Sequence, residues 1–207
     1  MIQLDASNDS LDLSKINIDD EKVIIIDGLF PSWFITYVHR QVMEASGWRF
    51  GHYTSVRPEM REKETPCFSQ RVFPEPQSPL SNDSLFPMIF YAATDTISSN
   101  LQLGEILING QQHFHNTLYH QDCKDNGLTM LYYVNEDSKE SWGGETCIKT
   151  GEDIIEVTPK PGRISLFLGN LFHKGKSFND VTDTQGVLRA TIAYKIGREN
   201  PFRGANE

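Results

Sequence analysis

The second half of the chain places short apolar runs between glycine, asparagine, aspartate and proline residues, a pattern that predicts short strands joined by turns. Six such strands are predicted, at residues 104–109, 128–134, 145–149, 154–157, 163–168 and 188–196. A run of short strands of this kind favours an antiparallel barrel or a jelly roll.

The first half predicts fewer and more varied elements. Residues 22–27 form a β-branched run that indicates a buried strand, and residues 32–45 repeat apolar side chains at helical spacing. A second helix is expected at residues 84–100. The predicted fold is therefore mostly β, with helices packed outside the strands.

Two segments lack this periodicity. Residues 1–20 are polar and rich in aspartate, and we expect a flexible arm there. Residues 51–82 are rich in proline and predict either a functional lid over a substrate or an ordinary surface loop. Candidate substrate contacts in and beside this loop are Trp48, Tyr53, Arg57 and Arg71.

Length and composition favour one domain over residues 1–207, in which residues 21–100 lead into a β core at 101–197. A chain with 38% hydrophobic and 23% charged residues is globular rather than disordered. Its net charge of −9 makes nucleic acid an unlikely partner, and no apolar run is long enough to span a membrane. The three cysteines cannot all pair, which indicates a reducing compartment, and we expect a cytoplasmic protein.

The most informative polar group is a histidine followed two residues later by a carboxylate. On an extended strand, His120 and Asp122 project to the same side and can reach one metal ion. With His173, which follows a later buried strand, they supply the two-histidine, one-carboxylate set of non-haem Fe(II) oxygenases. The remaining histidines are interpreted as polar or structural residues: His39, His52, His113 and His115.

The last predicted strand carries a second polar group. Arg189 and Thr191 occupy its polar phase, while Ala190 and Ile192 face the other way. Because a buried unpaired charge is costly, a guanidinium inside a barrel requires an anionic partner. A dicarboxylate ligand would provide one, with the Thr191 hydroxyl as a second donor.

These motifs, taken in order, resemble the prolyl 4-hydroxylase-like branch of the Fe(II)/2-oxoglutarate-dependent dioxygenases. The resemblance covers residues 101–197 and rests on His120-Gln121-Asp122, on the segments 131–135, 142–146 and 159–162, on His173, and on Arg189-Ala190-Thr191. It implies a double-stranded β-helix, which is a jelly-roll or cupin-like core.

The resemblance also implies a set of cofactors and roles. Fe(II) would be held by His120, Asp122 and His173, with 2-oxoglutarate and O₂ as cosubstrates. Arg189 would pair with the distal carboxylate of 2-oxoglutarate, and Tyr133 would hydrogen-bond the same group. A similar spacing in the nucleic-acid demethylases of the alkylation-repair branch suggests that Asn109 assists cosubstrate binding.

The resulting hypothesis is an enzyme that hydroxylates an aliphatic C–H bond, of a prolyl residue or an amino-acid-like substrate, with release of succinate and CO₂. One alternative is a nucleic-acid dealkylating dioxygenase of the same superfamily. Another is a non-catalytic metal-binding jelly-roll module. Cys123 and Cys147 are predicted to be neither ligands nor nucleophiles, because thiolate ligands favour zinc or copper.

Overall fold

A computed structural model of the protein describes residues 1–7, 23–54, 58–74, 79–94, 101–113, 115, 117–179 and 183–198. All statements about the structure refer to these residues. None of the helices in this part of the chain has the length and apolar character that a membrane crossing requires.

An eight-stranded sheet forms the larger layer. Its strands are β1 (Ile2–Asp5), β2 (Val23–Asp27), β3 (Arg49–His52), β4 (Cys67–Phe73), β5 (Leu101–Gln111), β6 (Leu128–Tyr133), β9 (Ile164–Leu168) and β11 (Arg189–Arg198). Their spatial order is β1-β2-β9-β6-β11-β5-β4-β3. All neighbouring pairs are antiparallel except β1 and β2, which run parallel.

A three-stranded sheet forms the smaller layer. It contains β7 (Thr146–Thr150), β8 (Asp153–Val157) and β10 (His173–Gly175), in the order β10-β7-β8. An isolated bridge between His120 and His173 joins its edge to the loop that leads into β6.

Helices α1 (Ser32–Met43) and α3 (Leu85–Thr94) pack with one face of the large sheet, whereas α2 (Pro58–Arg61) is a single turn. Val38 and Val42 of α1 and Phe86 and Phe90 of α3 belong to one buried apolar cluster. The strand residues of this cluster include Ile24, Ile106, Ile108, Tyr132, Ile164, Ile192 and Tyr194. This cluster is the main core of the molecule.

A smaller apolar cluster holds the two sheets together. It combines Leu131, Phe167 and Ala193 of the large sheet with Ile148 and Val157 of the small sheet. Because side chains alternate across a strand, the same strands that supply the main core also supply this inner face. Polar side chains on these strands that face away from the main core therefore lie on the inner face, between the two sheets.

The prediction of a mostly β fold with flanking helices is confirmed, whereas the described parts of two segments that were expected to be irregular contain strands. Residues 2–5 of the expected flexible arm form β1, which pairs in parallel with β2 at the edge of the large sheet. The predicted loop at residues 51–82 contains β4, which pairs with β5 and belongs to the main sheet. Val72 is buried there, so even a proline-rich segment contributes to the core.

Candidate metal centre and cavity

Three side chains with metal-binding atoms converge at the inner face. Possible ligand atoms of His120, Asp122 and His173 all lie within 4.8 Å of one another. The His120 Nε2 atom lies 3.8 Å from Asp122 Oδ1, and the His173 Nε2 atom lies 3.5 Å from Asp122 Oδ2. The two imidazole ring centres are 4.4 Å apart. The sequence prediction that these three side chains meet is therefore confirmed.

Both imidazole rings are anchored through the same nitrogen. His120 Nδ1 lies 3.2 Å from the Leu118 carbonyl oxygen, and His173 Nδ1 lies 3.0 Å from the Leu171 carbonyl oxygen. A carbonyl accepts only from N–H, so this contact places the proton on Nδ1 and leaves the Nε2 lone pair for a metal. The arrangement suits a first-row divalent cation.

The backbone holds the two histidines in register with each other. The His120 N–H donates to the His173 carbonyl at 3.0 Å, and the His173 N–H donates back at 2.9 Å. The Asp122 N–H donates to the Gly169 carbonyl at 2.9 Å, and the Thr129 hydroxyl donates to Asp122 Oδ2 at 2.7 Å. Asp122 is thus held by one hydrogen bond to its backbone and one to its carboxylate.

The electrostatics favour the ligating protonation states of His120 and Asp122. Burial and the neighbouring His173 ring lower the pKa of His120 to about 4, so its ring is neutral at pH 7. Burial by itself would raise the pKa of Asp122, but the neighbouring His173 ring and then the His120 ring outweigh it and keep this pKa well below its ordinary value. Asp122 is therefore a carboxylate.

The three residues line a cavity of about 310 Å³ between the two sheets. Strands β5 and β11 line it with alternate residues, which are Glu105, Leu107, Asn109 and Gln111 from β5 and Arg189, Thr191, Ala193 and Lys195 from β11. Thr146 and Gly175 close it from the small sheet. The expected inward phase of Arg189 and Thr191 is thus confirmed.

Arg189 is a buried cation among neutral acceptors. Its side chain donates from Nε to the Gly144 carbonyl at 2.6 Å, from Nη1 to Gln111 Oε1 at 2.8 Å, and from Nη2 to Thr146 Oγ1 at 2.9 Å. The residue is only 3% exposed, and no carboxylate in the described part of the chain pairs with it. A guanidinium has five N–H groups, so one on each terminal nitrogen remains for a ligand.

Two glycines make room for this guanidinium. A Cβ atom at Gly175 would lie 2.8 Å from Gln111 Oε1 and 3.1 Å from Arg189 Nη1. Gly144 has a φ of +82°, and a Cβ there would lie 2.7 Å from the Phe178 ring. A side chain at either position would displace the groups that orient Arg189.

The other expected cosubstrate residues lie at different distances from the cavity. Asn109 and Thr191 line it, and the buried Oδ1 atom of Asn109 has no hydrogen-bond partner among the described residues. Tyr133 lies behind the wall: its hydroxyl donates to Thr146 Oγ1 at 2.8 Å, and its ring centre is 5.8 Å from the Arg189 guanidinium carbon.

Several lining residues were missed in the sequence. His52, interpreted there as a polar surface residue, lines the cavity from β3, because the strand carries it to the open edge of the large sheet. Extending the two-residue phase of Arg189 and Thr191 along β11 would have found Lys195. The other missed side chains include Thr54, Cys67, Glu105, Gln111, Thr117 and Thr146.

Only two of the four candidate substrate contacts line the cavity. Tyr53 and Arg71 line the cavity, whereas Trp48 packs against the main core because its ring lies over Gly110. Arg57 lies outside the described residues.

The other three histidines, which were interpreted as polar surface residues rather than ligands, contact the protein backbone. His39 Nδ1 lies 3.3 Å from the Val134 carbonyl oxygen, and His113 contacts the Phe178 and Thr184 carbonyl oxygens. His115 Nδ1 accepts from the Gln112 N–H at 3.1 Å.

Comparison with known proteins gives this geometry a context. Residues 106–193 match the model of the 2OG-Fe(II) oxygenase superfamily. No curated protein matches the chain. The matched segment contains every residue of the metal cluster together with Arg189.

Solved structures with low sequence identity share the fold. An oxidoreductase of the 2OG-Fe(II) oxygenase family from Burkholderia pseudomallei has a TM-score of 0.67 at 10% identity, covering 97% of this chain and 98% of that one. A prolyl hydroxylase from Trichoplax adhaerens, solved with a hypoxia inducible factor peptide fragment, has a TM-score of 0.63 at 13% identity, covering 88% and 86%. A Pseudomonas putida prolyl-4-hydroxylase has a TM-score of 0.61 at 16% identity, covering 90% and 98%. The predicted double-stranded β-helix core is thereby confirmed.

Proposed function

We propose that the chain is a 2OG-Fe(II) oxygenase enzyme that hydroxylates an aliphatic C–H bond of a small-molecule or peptidyl substrate. In this proposal 2-oxoglutarate is consumed to give succinate and CO₂. The substrate enters the cavity between the two sheets, next to the His120, Asp122 and His173 cluster.

The residues present fit Fe(II). His120 and His173 would each bind through Nε2 and Asp122 through a carboxylate oxygen, a donor set that leaves coordination positions open for other ligands. The bound metal, with 2-oxoglutarate and O₂, would supply the oxidising chemistry that no side chain of the chain possesses. The Nδ1 contacts to backbone carbonyls hold both rings in the orientation that binding requires.

The observation that carries the proposal is Arg189. A guanidinium buried without an anion is costly, and its three protein acceptors are all neutral. It faces the same cavity as the metal cluster, so one dicarboxylate molecule can satisfy both sites. 2-Oxoglutarate has a carboxylate at each end and meets this requirement.

The residues around Arg189 have distinct roles in this proposal. Thr191 and Asn109 lie on the adjacent strands β11 and β5, where Thr191 is paired with Asn109, and both offer polar groups to the cosubstrate. Tyr133 acts through Thr146, since its hydroxyl holds the oxygen that also accepts from Arg189. Leu107, Leu131 and Ala193 add apolar surface to the wall, which disfavours water beside the cosubstrate.

The test has two stages. Anaerobic addition of Fe(II) and 2-oxoglutarate should produce the visible absorption band of an Fe(II)–2-oxoglutarate complex. In air, the loaded enzyme should convert 2-oxoglutarate to succinate, and mass spectrometry of a substrate panel should detect the gain of one oxygen atom. A protein that binds Fe(II) but forms no band and no succinate would be a metal-binding jelly roll without this activity.

Asp122→Ala is the matched control for both stages. It removes one member of the cluster but leaves Arg189 and its contacts unchanged. It should abolish the band because a chelated complex needs the metal. Persistence of the band in this variant would mean that the metal binds elsewhere.

A further inference from the structure

A second charged group lines the cavity further along strands β5 and β11 from Arg189. Arg71 of β4, Glu105 of β5 and Lys195 of β11 form a chain of ion pairs, which we call the charged rim. The Arg71 Nη1 atom lies 2.6 Å from Glu105 Oε1, and the Lys195 Nζ atom lies 2.8 Å from Glu105 Oε2. Lys195 Nζ is also 3.8 Å from Asp122 Oδ1, so the rim borders the metal cluster directly.

The strand register separates the rim from the cosubstrate end. Arg189 pairs with Gln111, and Lys195 pairs with Glu105 six residues further along the same two strands. At roughly 3.3 Å per residue, the backbone positions of Arg189 and Lys195 are about 20 Å apart along β11. A 2-oxoglutarate molecule anchored on Arg189 therefore leaves the rim free for the substrate.

The unused hydrogen-bonding capacity of the rim consists of donors. Both oxygens of the Glu105 carboxylate already contact a cation. The Arg71 side chain is 40% exposed and the Lys195 side chain 39% exposed, whereas that of Glu105 is 13% exposed. A guanidinium carries five N–H groups and an ammonium three, so both cations retain N–H groups that point to no acceptor in the described part of the chain.

The charge balance agrees with the hydrogen-bond count. Three cations line the cavity, Arg71, Arg189 and Lys195, against two carboxylates, Glu105 and Asp122. The whole chain carries −9, so this is a cationic cavity in an acidic protein. Once Asp122 serves a metal and Arg189 a cosubstrate, two cations against one carboxylate leave the rim with one positive charge.

We propose that the charged rim binds an anionic oxygen group of the substrate, a carboxylate or a phosphate, through Arg71 and Lys195. This inference rests on the proposed function, because it names the substrate class of the same site. Glu105 is a positioning residue that holds the two cations at the cavity mouth and lowers their net attraction for the anion.

Matched probes separate charge from shape. N-acetylproline, N-acetylleucine and N-acetylphenylalanine would each be compared with the corresponding carboxamide, and phosphoserine amide with serine amide. Binding to the protein loaded with redox-inert Zn(II) and 2-oxoglutarate would be followed by ligand-observed NMR. We expect at least one anionic probe to bind about fivefold to tenfold more tightly than its neutral partner, since the cations are partly exposed. Preference in the acetyl pairs identifies a carboxylate, and preference in the serine pair a phosphate.

Four rim variants have different expected outcomes. Arg71→Gln and Lys195→Gln should remove the preference, whereas Lys195→Arg should retain it. Glu105→Gln should increase affinity for the anionic probe, because it frees both cations, while a purely structural role for Glu105 predicts no gain. Lys149→Gln, an exposed cation outside the cavity, is the control and should change nothing.

The inference is overturned if no anionic probe binds, or if each acid binds as tightly as its amide. It is also overturned if the preference for the anionic probe survives in both Arg71→Gln and Lys195→Gln. Its failure is distinct from failure of the proposed function, which the anaerobic Fe(II)–2-oxoglutarate band tests. A normal band without anion preference rejects the rim and keeps the oxygenase. A missing band with a rim-dependent preference rejects the oxygenase and keeps an anion site.

Discussion

Two buried arginines on the large sheet differ in their partners. Arg163, at the start of β9, donates from Nε to Asp27 Oδ1 at 2.7 Å and from Nη2 to Asp27 Oδ2 at 2.6 Å. Arg189, on β11, donates only to a carbonyl, an amide oxygen and a hydroxyl. Both residues are less than 5% exposed, so their different surroundings are not a matter of burial.

The comparison contrasts a structural cation with one that we propose to bind a ligand. Arg163 carries its own carboxylate, and the pair joins the end of β2 to the start of β9 without need of a ligand. Arg189 faces a cavity with unused N–H groups, and its desolvation is offset only in part by neutral acceptors. Loss of Arg163 should therefore affect folding, and loss of Arg189 should affect binding.

Arg189→Ala gives the largest expected effect on binding. Loss of a charged partner inside the cavity costs on the order of 2–5 kcal/mol, which raises the dissociation constant of 2-oxoglutarate by about thirtyfold to several thousandfold. Anaerobic titration of the Fe(II)-loaded variant with 2-oxoglutarate would measure it.

Two observations accompany this titration. Fe(II) binding should survive, since Arg189 is no ligand of the metal cluster. The 2-oxoglutarate affinity of Arg189→Lys should lie between those of wild type and Arg189→Ala, because an ammonium keeps the charge but lacks the planar pair of N–H groups. Unchanged 2-oxoglutarate affinity in Arg189→Ala would reduce Arg189 to a residue of the fold.

Asp27→Asn should give the converse result. It leaves the Arg163 guanidinium buried without a charged partner, and because Asp27 is partly exposed we expect a loss of about 2–3 kcal/mol in the free energy of unfolding. Urea denaturation would measure this loss, and 2-oxoglutarate affinity should stay unchanged. A variant with wild-type stability but weaker cosubstrate binding would contradict the division between the two arginines.

The same pair predicts a pH dependence. Burial by itself would raise the pKa of Asp27, but the hydrogen bond and charge of Arg163 outweigh it and lower this pKa below its ordinary value of 3.8. A carboxyl group with a lowered pKa stabilises the fold above its ordinary pKa and loses that contribution as the pH falls through the folded value. The difference in unfolding free energy between wild type and Asp27→Asn should thus be constant near neutrality and shrink below about pH 4. A difference that grows on acidification would refute this sign.

The sequence predicts the position of Arg189 better than it predicts the residues that accept its hydrogen bonds. Arg189 and Thr191 stand in a strand with regular alternation, so their shared face follows from the period of two. The spacing of His120 and Asp122 also indicates a shared site, although both residues lie in the loop before β6 and not on the strand that the spacing argument assumed. The acceptors of Arg189 do not follow from local spacing, because Gly144 and Gln111 lie 45 and 78 residues away and meet it only through the register of the sheets.

The charged rim was predicted only in part: Arg71 was a candidate substrate contact, but its ion pair with Glu105 was not expected. Arg71 lies in a proline-rich segment that predicts a loop, yet this segment forms β4 because its Val72 and Gln70 side chains are buried on the other face. The strand forms because it pairs with β5, which is distant in sequence, and the hydrophobic pattern of the segment alone does not predict this pairing. His52 reaches the cavity through a similarly short strand.

Asn109→Ala tests the cavity between the two charged ends with a smaller expected effect. If the amide assists the cosubstrate, its loss removes one ordinary hydrogen bond, worth about 0.5–1.5 kcal/mol, and raises the 2-oxoglutarate dissociation constant by about twofold to tenfold. Unfolding free energy should not fall by a comparable amount, since Asn109 Oδ1 has no partner among the described residues to lose. A large loss of stability with unchanged affinity would assign Asn109 to the fold.

Cys123→Ser and Cys147→Ser should have the smallest effects. Burial, with the neighbouring Asp125, raises the pKa of Cys123 to about 11, and burial raises that of Cys147, so both are thiols rather than thiolates at neutral pH. Neither sulfur lines the cavity: Cys123 Sγ donates to the Asp125 carbonyl at 3.5 Å, and Cys147 Sγ lies 3.6 Å from Glu156 Oε1. A protonated thiol is a poor ligand and a poor nucleophile, and serine preserves its donor. Succinate formation by the Fe(II)-loaded variants should remain within about threefold of wild type, a change of less than 1 kcal/mol. A loss beyond about tenfold in a variant with wild-type circular dichroism would give one of these thiols a role in turnover and break the assignment of the chemistry to His120, Asp122, His173 and Arg189.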